Sequence, residues 1–242
     1  MIRLVVFDMA GTTVRDDDAV NTSFSNALVA AGVERSRDEI NAVMGLAKPR
    51  AIDMLLEPVA ADAEADAAAR AVRKTRIDAI HRDFADRMIA HYLKSPEVRE
   101  IDGASEVFKA MKNSGVRIAL DTGFDRRIAN AVLRRMRWIA LGLVDVTVTS
   151  DEVVEGRPAP DMIFRAMTLA GVGSAHDVAK VGDTPSDLHE GTNAGCAAVV
   201  GYTGGTHTRE QLAAAPHTHL IANLRDLLDI VGIQKGRHVR AL

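Results

Sequence analysis

Five short runs of mainly apolar and β-branched residues, at 3–7, 116–120, 144–149, 178–181 and 197–200, each give way to turn or polar residues. Short apolar runs bounded by turn signals read as buried strands. Between most of them lie segments of helical character, at 103–114, 126–136, 161–170 and 186–194. Strands alternating with helices predict a parallel sheet covered by helices on both faces. Strands this continuously apolar predict burial on both sides.

The alternation fails once. No strand pattern appears between about 17 and 92, where 21–31 and 37–44 look helical. After Pro58 an alanine-rich charged stretch at 60–74 continues toward His91. Ala, Glu, Arg and Lys are strong helix formers, so this stretch predicts a long solvated helix or two. The expected fold class is α/β: a doubly wound parallel sheet with a small all-helical cap domain inserted after the first strand. The core is expected at 1–16 and 93–242 and the cap at 17–92, with hinges near 15–18 and 94–97.

Composition removes several classes. Of 242 residues, 47% are hydrophobic and 26% charged, which excludes a chain disordered throughout. The formal charge of −3 disfavours nucleic acid as a partner. No stretch approaches the ~18–20 apolar residues of a membrane span. The N-terminus carries Arg3 and Asp8 and reads as a strand, not a signal peptide. The single cysteine, Cys196, permits no intrachain disulfide. These features together predict a cytoplasmic protein. Aromatics are only 4%, so Val, Ile, Leu, Met and Ala must build most of the core.

Open parallel sheets bind ligands beyond the carboxyl ends of their strands. Informative polar residues gather there. Asp8 follows the first run, in Phe7-Asp8-Met9-Ala10-Gly11-Thr12-Thr13. Thr122 and Gly123 follow the second, and Arg157 and Pro158 lie after the third. Gly182-Asp183-Thr184-Pro185-Ser186-Asp187 follows the fourth. Alone, each has a plain structural meaning: a turn cap, a turn, a loop, or two acids at a helix N-terminus. At four strand ends in this order they converge on one crevice.

This constellation resembles the haloacid dehalogenase superfamily over almost the whole chain. The resemblance implies that Asp8 is a nucleophile forming an aspartyl-phosphate that water then hydrolyses. It implies that Thr122 holds a phosphoryl oxygen. Arg157, where most members carry Lys, would offset developing charge with a two-donor fork. Mg²⁺ would be held at Asp8, Ala10, Asp183 and Asp187. Gly11, Thr12, Met44 and Gly123 would surround the substrate.

Most phosphatases of the superfamily carry a second Asp two residues after the nucleophile, as acid and base. Here Ala10 occupies that position. A positioned proton donor is worth about 10²–10⁴-fold, so the leaving group must need no acid from this position or be activated elsewhere. The run from Asp8 to Thr13, together with Arg157, resembles the phosphonoacetaldehyde hydrolase (phosphonatase) branch and its neighbours. There the C–P bond breaks toward a carbanion, and a Lys in a Met-Gly-x-x-Lys stretch supplies an imine as electron sink. The matching residues are Met44, Gly45 and Lys48. The Lys48 amine must be neutral, against a reference pKa of about 10.4. Burial or a neighbouring cation such as Arg50 could lower it. Three positions depart from the branch: Asp18 for Cys, Ala51 for His and Phe124 for Tyr.

The sequence thus predicts a Mg²⁺-dependent phosphonatase-like hydrolase of a small organophosphorus metabolite. Phosphonoacetaldehyde, with Lys48 as Schiff base, is one candidate. A phosphatase acting on a phosphorylated metabolite with a good leaving group is another. A metal-independent 2-haloacid dehalogenase tolerates Ala10 but has no use for Asp183 and Asp187. A non-enzymatic regulatory domain is a further alternative, against which the retained set of polar residues speaks. The cap helices offer a surface for a homodimer. His207, His217 and His219 read as loop histidines without zinc spacing. The basic clusters at 134–137 and 237–240 read as solvated faces, and Trp138 as core or cap-facing.

Overall fold

The computed structural model describes residues 1–56 and 67–233. Five strands arise where the apolar runs predict them: β1 (Leu4–Asp8), β2 (Arg117–Thr122), β3 (Val146–Thr149), β4 (Val178–Gly182) and β5 (Ala198–Tyr202). A sixth, β6 (His219–Ile221), was not predicted; it has three residues, pairs only with β5 and leaves no alternation to read. All neighbours are parallel, in the order β3-β2-β1-β4-β5-β6. The order reverses between β1 and β4, so the ends of those strands flank the crevice where such sheets bind ligands. Every residue of β1 and β4 is buried, which explains their largely apolar character; Asp8 and Lys180 are the charged exceptions.

Strand ends differ from the sequence reading in an informative way. β2 continues past the run ending at Leu120 to Asp121 and Thr122, the latter read in sequence as part of a turn. Both are buried, and their polar groups find partners at the site described below.

Helices α5 (Ala104–Asn113), α6 (Arg126–Met136), α7 (Asp161–Ala170), α8 (Pro185–Ala194), α9 (Arg209–Ala213) and α10 (Leu227–Ile230) cover the sheet. Asp125 starts α6 by accepting from the Ile128 N–H at 2.9 Å. Thr184 and Asp187 close a reciprocal cap at the start of α8. These side chains satisfy amides that a helix start leaves without intrahelical partners. Phe108 is flanked by Phe7 and Trp138, with ring centroids 5.1 and 5.2 Å away in edge-on geometry. Trp138 therefore belongs to the core, and its indole N–H donates to Ser105 at 3.0 Å and Glu100 at 3.2 Å. Burial pushes the half-buried Cys196 thiol up to about 12, which leaves it unreactive near neutrality.

Among the described residues, the cap consists of the first four of the five helices between β1 and β2: α1 (Ala19–Ala30), α2 (Arg37–Ala42), α3 (Lys48–Leu55) and α4 (Ala67–Lys94). The alanine-rich stretch falls partly outside the described residues; from Ala67 it is one helix of 28 residues. Its later turns bury Ile80, Phe84, Ala85, Met88 and Tyr92, while its first turns are exposed. The two crossings into the cap run side by side. Arg15 N–H donates to the Arg99 carbonyl at 3.0 Å, and Ile101 N–H to that of Thr13 at 2.8 Å. Asp17 and Asp18 enter α1 with φ of 41° and 68°. Among the described residues, no helix is long and apolar enough to cross a membrane.

Candidate active site

Asp8 ends β1 at the reversal point, where its Oδ1 accepts from Arg157 Nη1 at 2.7 Å. Thr122 ends β2, and its Oγ1 accepts from the Phe124 N–H at 3.1 Å. Asp183 follows β4, and Asp187 lies in the first turn of α8. Carboxylate oxygens of Asp8, Asp183 and Asp187 lie within 4.8 Å of one another. One cavity at these strand ends is lined by Asp8, Ala10, Met44, Lys48, Thr122, Gly123 and Arg157, among others. Gly11 and Thr12 serve Asp183 and do not line this cavity. Thr12 Oγ1 donates to Asp183 Oδ1 at 2.8 Å, and Thr206 N–H donates to Oδ2 at 2.6 Å. Gly11, at φ +86°, leaves room for the same carboxylate, which any Cβ would overlap.

Beneath the cavity lies a buried charge network that the sequence reading missed. Arg157 bonds Asp121 through Nη2 and Glu190 through Nε at 2.9 Å, and Nη1 also lies 3.0 Å from Asp187. Lys180, inside β4, bonds Asp121 as well, and lies 2.8 Å from Glu190 and 3.2 Å from Asp187. All five side chains have no exposed surface. Charged groups are almost never fully buried without partners. A lysine inside the apolar run 178–181 was therefore a readable signal, and Glu190 follows Asp187 at the i,i+3 spacing of one helix face. Burial opposes ionisation of Asp121, but Arg157 and Lys180 outweigh it and hold its carboxyl below the usual range. Burial and the adjacent Asp121 push Glu190 up to about 7. Asp8 is held well above its ordinary range by burial, then by Asp187 and Asp183, with Arg157 opposing.

The Asp8, Asp183 and Asp187 cluster can hold a metal. Its side-chain donors are all carboxylate oxygens, which suits a hard divalent cation. Around it, the acids Asp8, Asp121, Asp183, Asp187 and Glu190 face two cations, Arg157 and Lys180. An added dication would offset most of that excess.

Lys48 opens α3 with its side chain buried. Its Nζ lies 5.6, 5.7 and 5.6 Å from the ring centroids of Phe24, Phe84 and Phe124. These rings come from α1, α4 and the turn after β2, so cap and core together enclose the amine. Burial brings the amine down to about 8, with Asp8 and Asp16 opposing. Burial is the main cause and the neighbouring cation Arg157 adds to it; the exposed Arg50 considered from sequence does not. Of the three departures, Ala51 is core, Phe124 is a wall of the cage, and Asp18 pairs with Arg37 at 2.6 Å. The cap turn ahead of Lys48 is seated on Gly123: a Cβ there would meet the carbonyls of Leu46 at 2.6 Å and Gly45 at 2.7 Å.

Two minor expectations change. His219 opens β6 and is not a loop residue, and His207 sits in its loop nearly buried, close to Asp183. Among the described residues, no histidine joins a metal-capable cluster. Arg134, Arg135 and Arg137 are exposed, as expected; 237–240 lies outside the described residues.

The doubly wound sheet, helical cap and acids at the strand ends agree with a direct comparison: residues 5–200 match the family described as haloacid dehalogenase-like hydrolase. The chain belongs to that family and is a hydrolase of the haloacid dehalogenase superfamily. It is 32% identical over 222 residues to a phosphonoacetaldehyde hydrolase from Paraburkholderia phytofirmans, covering 89% of this chain and 82% of that one. It is also 32% identical over 197 residues to a phosphonoacetaldehyde hydrolase from Bacillus cereus, covering 80% and 73%. A crystal structure of a phosphonoacetaldehyde hydrolase-like protein from Oleispira antarctica superposes with a TM-score of 0.75 at 22% identity, covering 95% and 91%.

Proposed function

We propose that this hydrolase cleaves the carbon–phosphorus bond of phosphonoacetaldehyde, with Lys48 forming an imine and Asp8 taking the phosphoryl group. The observation that carries the reading is an amine held near pKa 8 in an aromatic cage, lining the same cavity as Asp8. The likeness to phosphonoacetaldehyde hydrolases supports it. Arg157 and Thr122 would grip the phosphonate. Neutral Lys48 adds to the carbonyl carbon, and loss of water leaves a protonated imine. The faces of three phenylalanine rings stabilise that cation. An Asp8 oxygen then attacks phosphorus, and the C–P electron pair moves into the imine to give an enamine. The enamine takes up a proton at carbon, and hydrolysis returns acetaldehyde and free Lys48. Water cleaves the aspartyl-phosphate to inorganic phosphate. Because the leaving electrons enter the imine, Ala10 need supply no acid. Asp8, Asp183, Asp187 and the main chain of Ala10 would hold Mg²⁺, which when bound offsets charge on the phosphoryl oxygens.

Incubation with phosphonoacetaldehyde, Mg²⁺ and borohydride is expected to yield a covalent adduct at Lys48. Without borohydride, acetaldehyde is released. Lys48→Ala is expected to lose about a hundredfold or more in turnover. Only the neutral amine attacks, and its fraction rises with pH through about 8. Neither adduct nor acetaldehyde would sink the reading and turn the search to phosphate esters with good leaving groups.

Metal binding has its own readout. Mg²⁺ at about a hundred times its Kd should stabilise the protein by about 2.7 kcal/mol. For a chain of this size that raises the melting temperature by roughly 5–10 °C. Asp183→Asn should abolish the rise; an undiminished rise in that variant would remove Asp183 from the ligand set.

A further inference from the structure

One acid in the cavity takes no part in the chemistry above. Asp16 lies on the strap between the β1 loop and α1 and also lines the cavity that holds Asp8 and Lys48. It is firmly anchored: Oδ1 accepts from the Val20 N–H at 2.9 Å, and its carbonyl accepts from the Ala19 N–H at 2.8 Å. Among the described residues, Oδ2 has no hydrogen-bond partner. Burial pushes this carboxyl up to about 6, Val20 opposes, and Asp183 and Asp18 add to the rise. Such a group exchanges protons readily near neutrality.

The other cavity side chains do not offer this service. Asp8 is committed to phosphorus and held by Arg157. Arginine does not deprotonate in proteins, and threonine hydroxyls are feeble acids. Ala10, Val20, Met44 and Phe124 carry no titratable group. Imine formation nevertheless requires a proton, because the hydroxyl of the carbinolamine leaves only as water.

We propose that Asp16 is the proton donor and acceptor for the carbonyl chemistry at Lys48. The proposal rests on the imine reading of the preceding section. Lys48 adds to the aldehyde to give the carbinolamine. The Asp16 carboxyl passes its proton to the carbinolamine hydroxyl, the C–O bond breaks, and water departs. The nitrogen lone pair closes the C=N bond, leaving a protonated imine and an Asp16 carboxylate. After phosphoryl transfer and protonation of the enamine, water adds to the imine carbon. The Asp16 carboxylate takes a proton from that water and is restored as the acid.

Asp16→Asn keeps the acceptor for Val20 and removes only the exchangeable proton. Rapid-quench borohydride trapping with phosphonoacetaldehyde should show adduct formation at Lys48 slowed about 10²–10⁴-fold, and acetaldehyde release slowed with it. Asp16→Glu, which retains an acid, should recover most of the loss. Should Asp16→Asn melt far below the parent, Asp16→Ser, still able to accept from the helix start, gives the same test. Adduct formation at the parent rate in either acid-free variant overturns the proposal alone. Absence of any adduct in the unaltered protein overturns the imine reading and this proposal with it.

Discussion

Replacing Asp8 by Asn is expected to lower turnover on the order of 10⁴-fold or more, while leaving the fold intact. The amide matches the carboxylate in shape, and its oxygen can still accept from Arg157 Nη1, now 2.7 Å from Oδ1. It is a far poorer nucleophile toward phosphorus. Stability should move the other way. Asp8 is buried against Asp183 and Asp187, which holds its carboxyl well above the ordinary range. With a raised native pKa, the folded state binds more protons than the unfolded chain between the two values. Its contribution is therefore present at low pH and lost as pH rises through the native value. The neutral amide lacks that loss, so Asp8→Asn should melt above the parent at neutral pH in chelator, and the gap should close in acid. Turnover with phosphonoacetaldehyde and melting in chelator check the two halves. Activity within tenfold of the parent would mean that another group attacks phosphorus.

The second large effect is on stability. Arg157→Met leaves Asp8, Asp121, Asp187 and Glu190 without the guanidinium that each now contacts. Removing one partner of a buried ion pair costs about 3–5 kcal/mol, because the remaining charge stays desolvated. Lys180 still faces three of the four and keeps the cost from multiplying. Urea unfolding at neutral pH should show the deficit. It should shrink as pH falls, since the stranded carboxyls acquire raised pKa values and are protonated in the folded state. A deficit below about 1 kcal/mol would show that Lys180 alone balances the cluster. Arg157→Lys is expected to recover only part, because one ammonium cannot reproduce the fork.

How much of this could be read in advance follows from physical range. β1, β4 and β5 are covered on both faces, so burial wrote itself into apolar runs, interrupted in β4 by Lys180. β6 is three residues at an edge and has no such imprint. Asp121 drew no notice in sequence because its partners, Arg157 and Lys180, lie 36 and 59 residues away. Asp8, Thr122, Arg157 and Asp183 stood out because each follows a strand end, a position with chemical meaning in this topology. The cage around Lys48 had no local signal: Phe24, Phe84 and Phe124 come from three elements and meet only after the cap folds down. Asp16 was hidden for the same reason among neighbouring aspartates at 16–18.

The seating of the cap turn on Gly123 bears on how such enzymes diverge. Lys48 begins the helix only two residues after Leu46, whose carbonyl would lie 2.6 Å from a Cβ at Gly123. A methyl group there would lift that turn and carry the amine with it, away from Asp8. β1, β4 and their acids would stay where they are. On the imine reading, the capacity to open a carbon–phosphorus bond then hangs on the spacing of two loops, while phosphoryl capture belongs to the sheet. A lineage that gained a single carbon at Gly123 would lose the imine chemistry and keep phosphoryl capture, confined by Ala10 to leaving groups that need no acid.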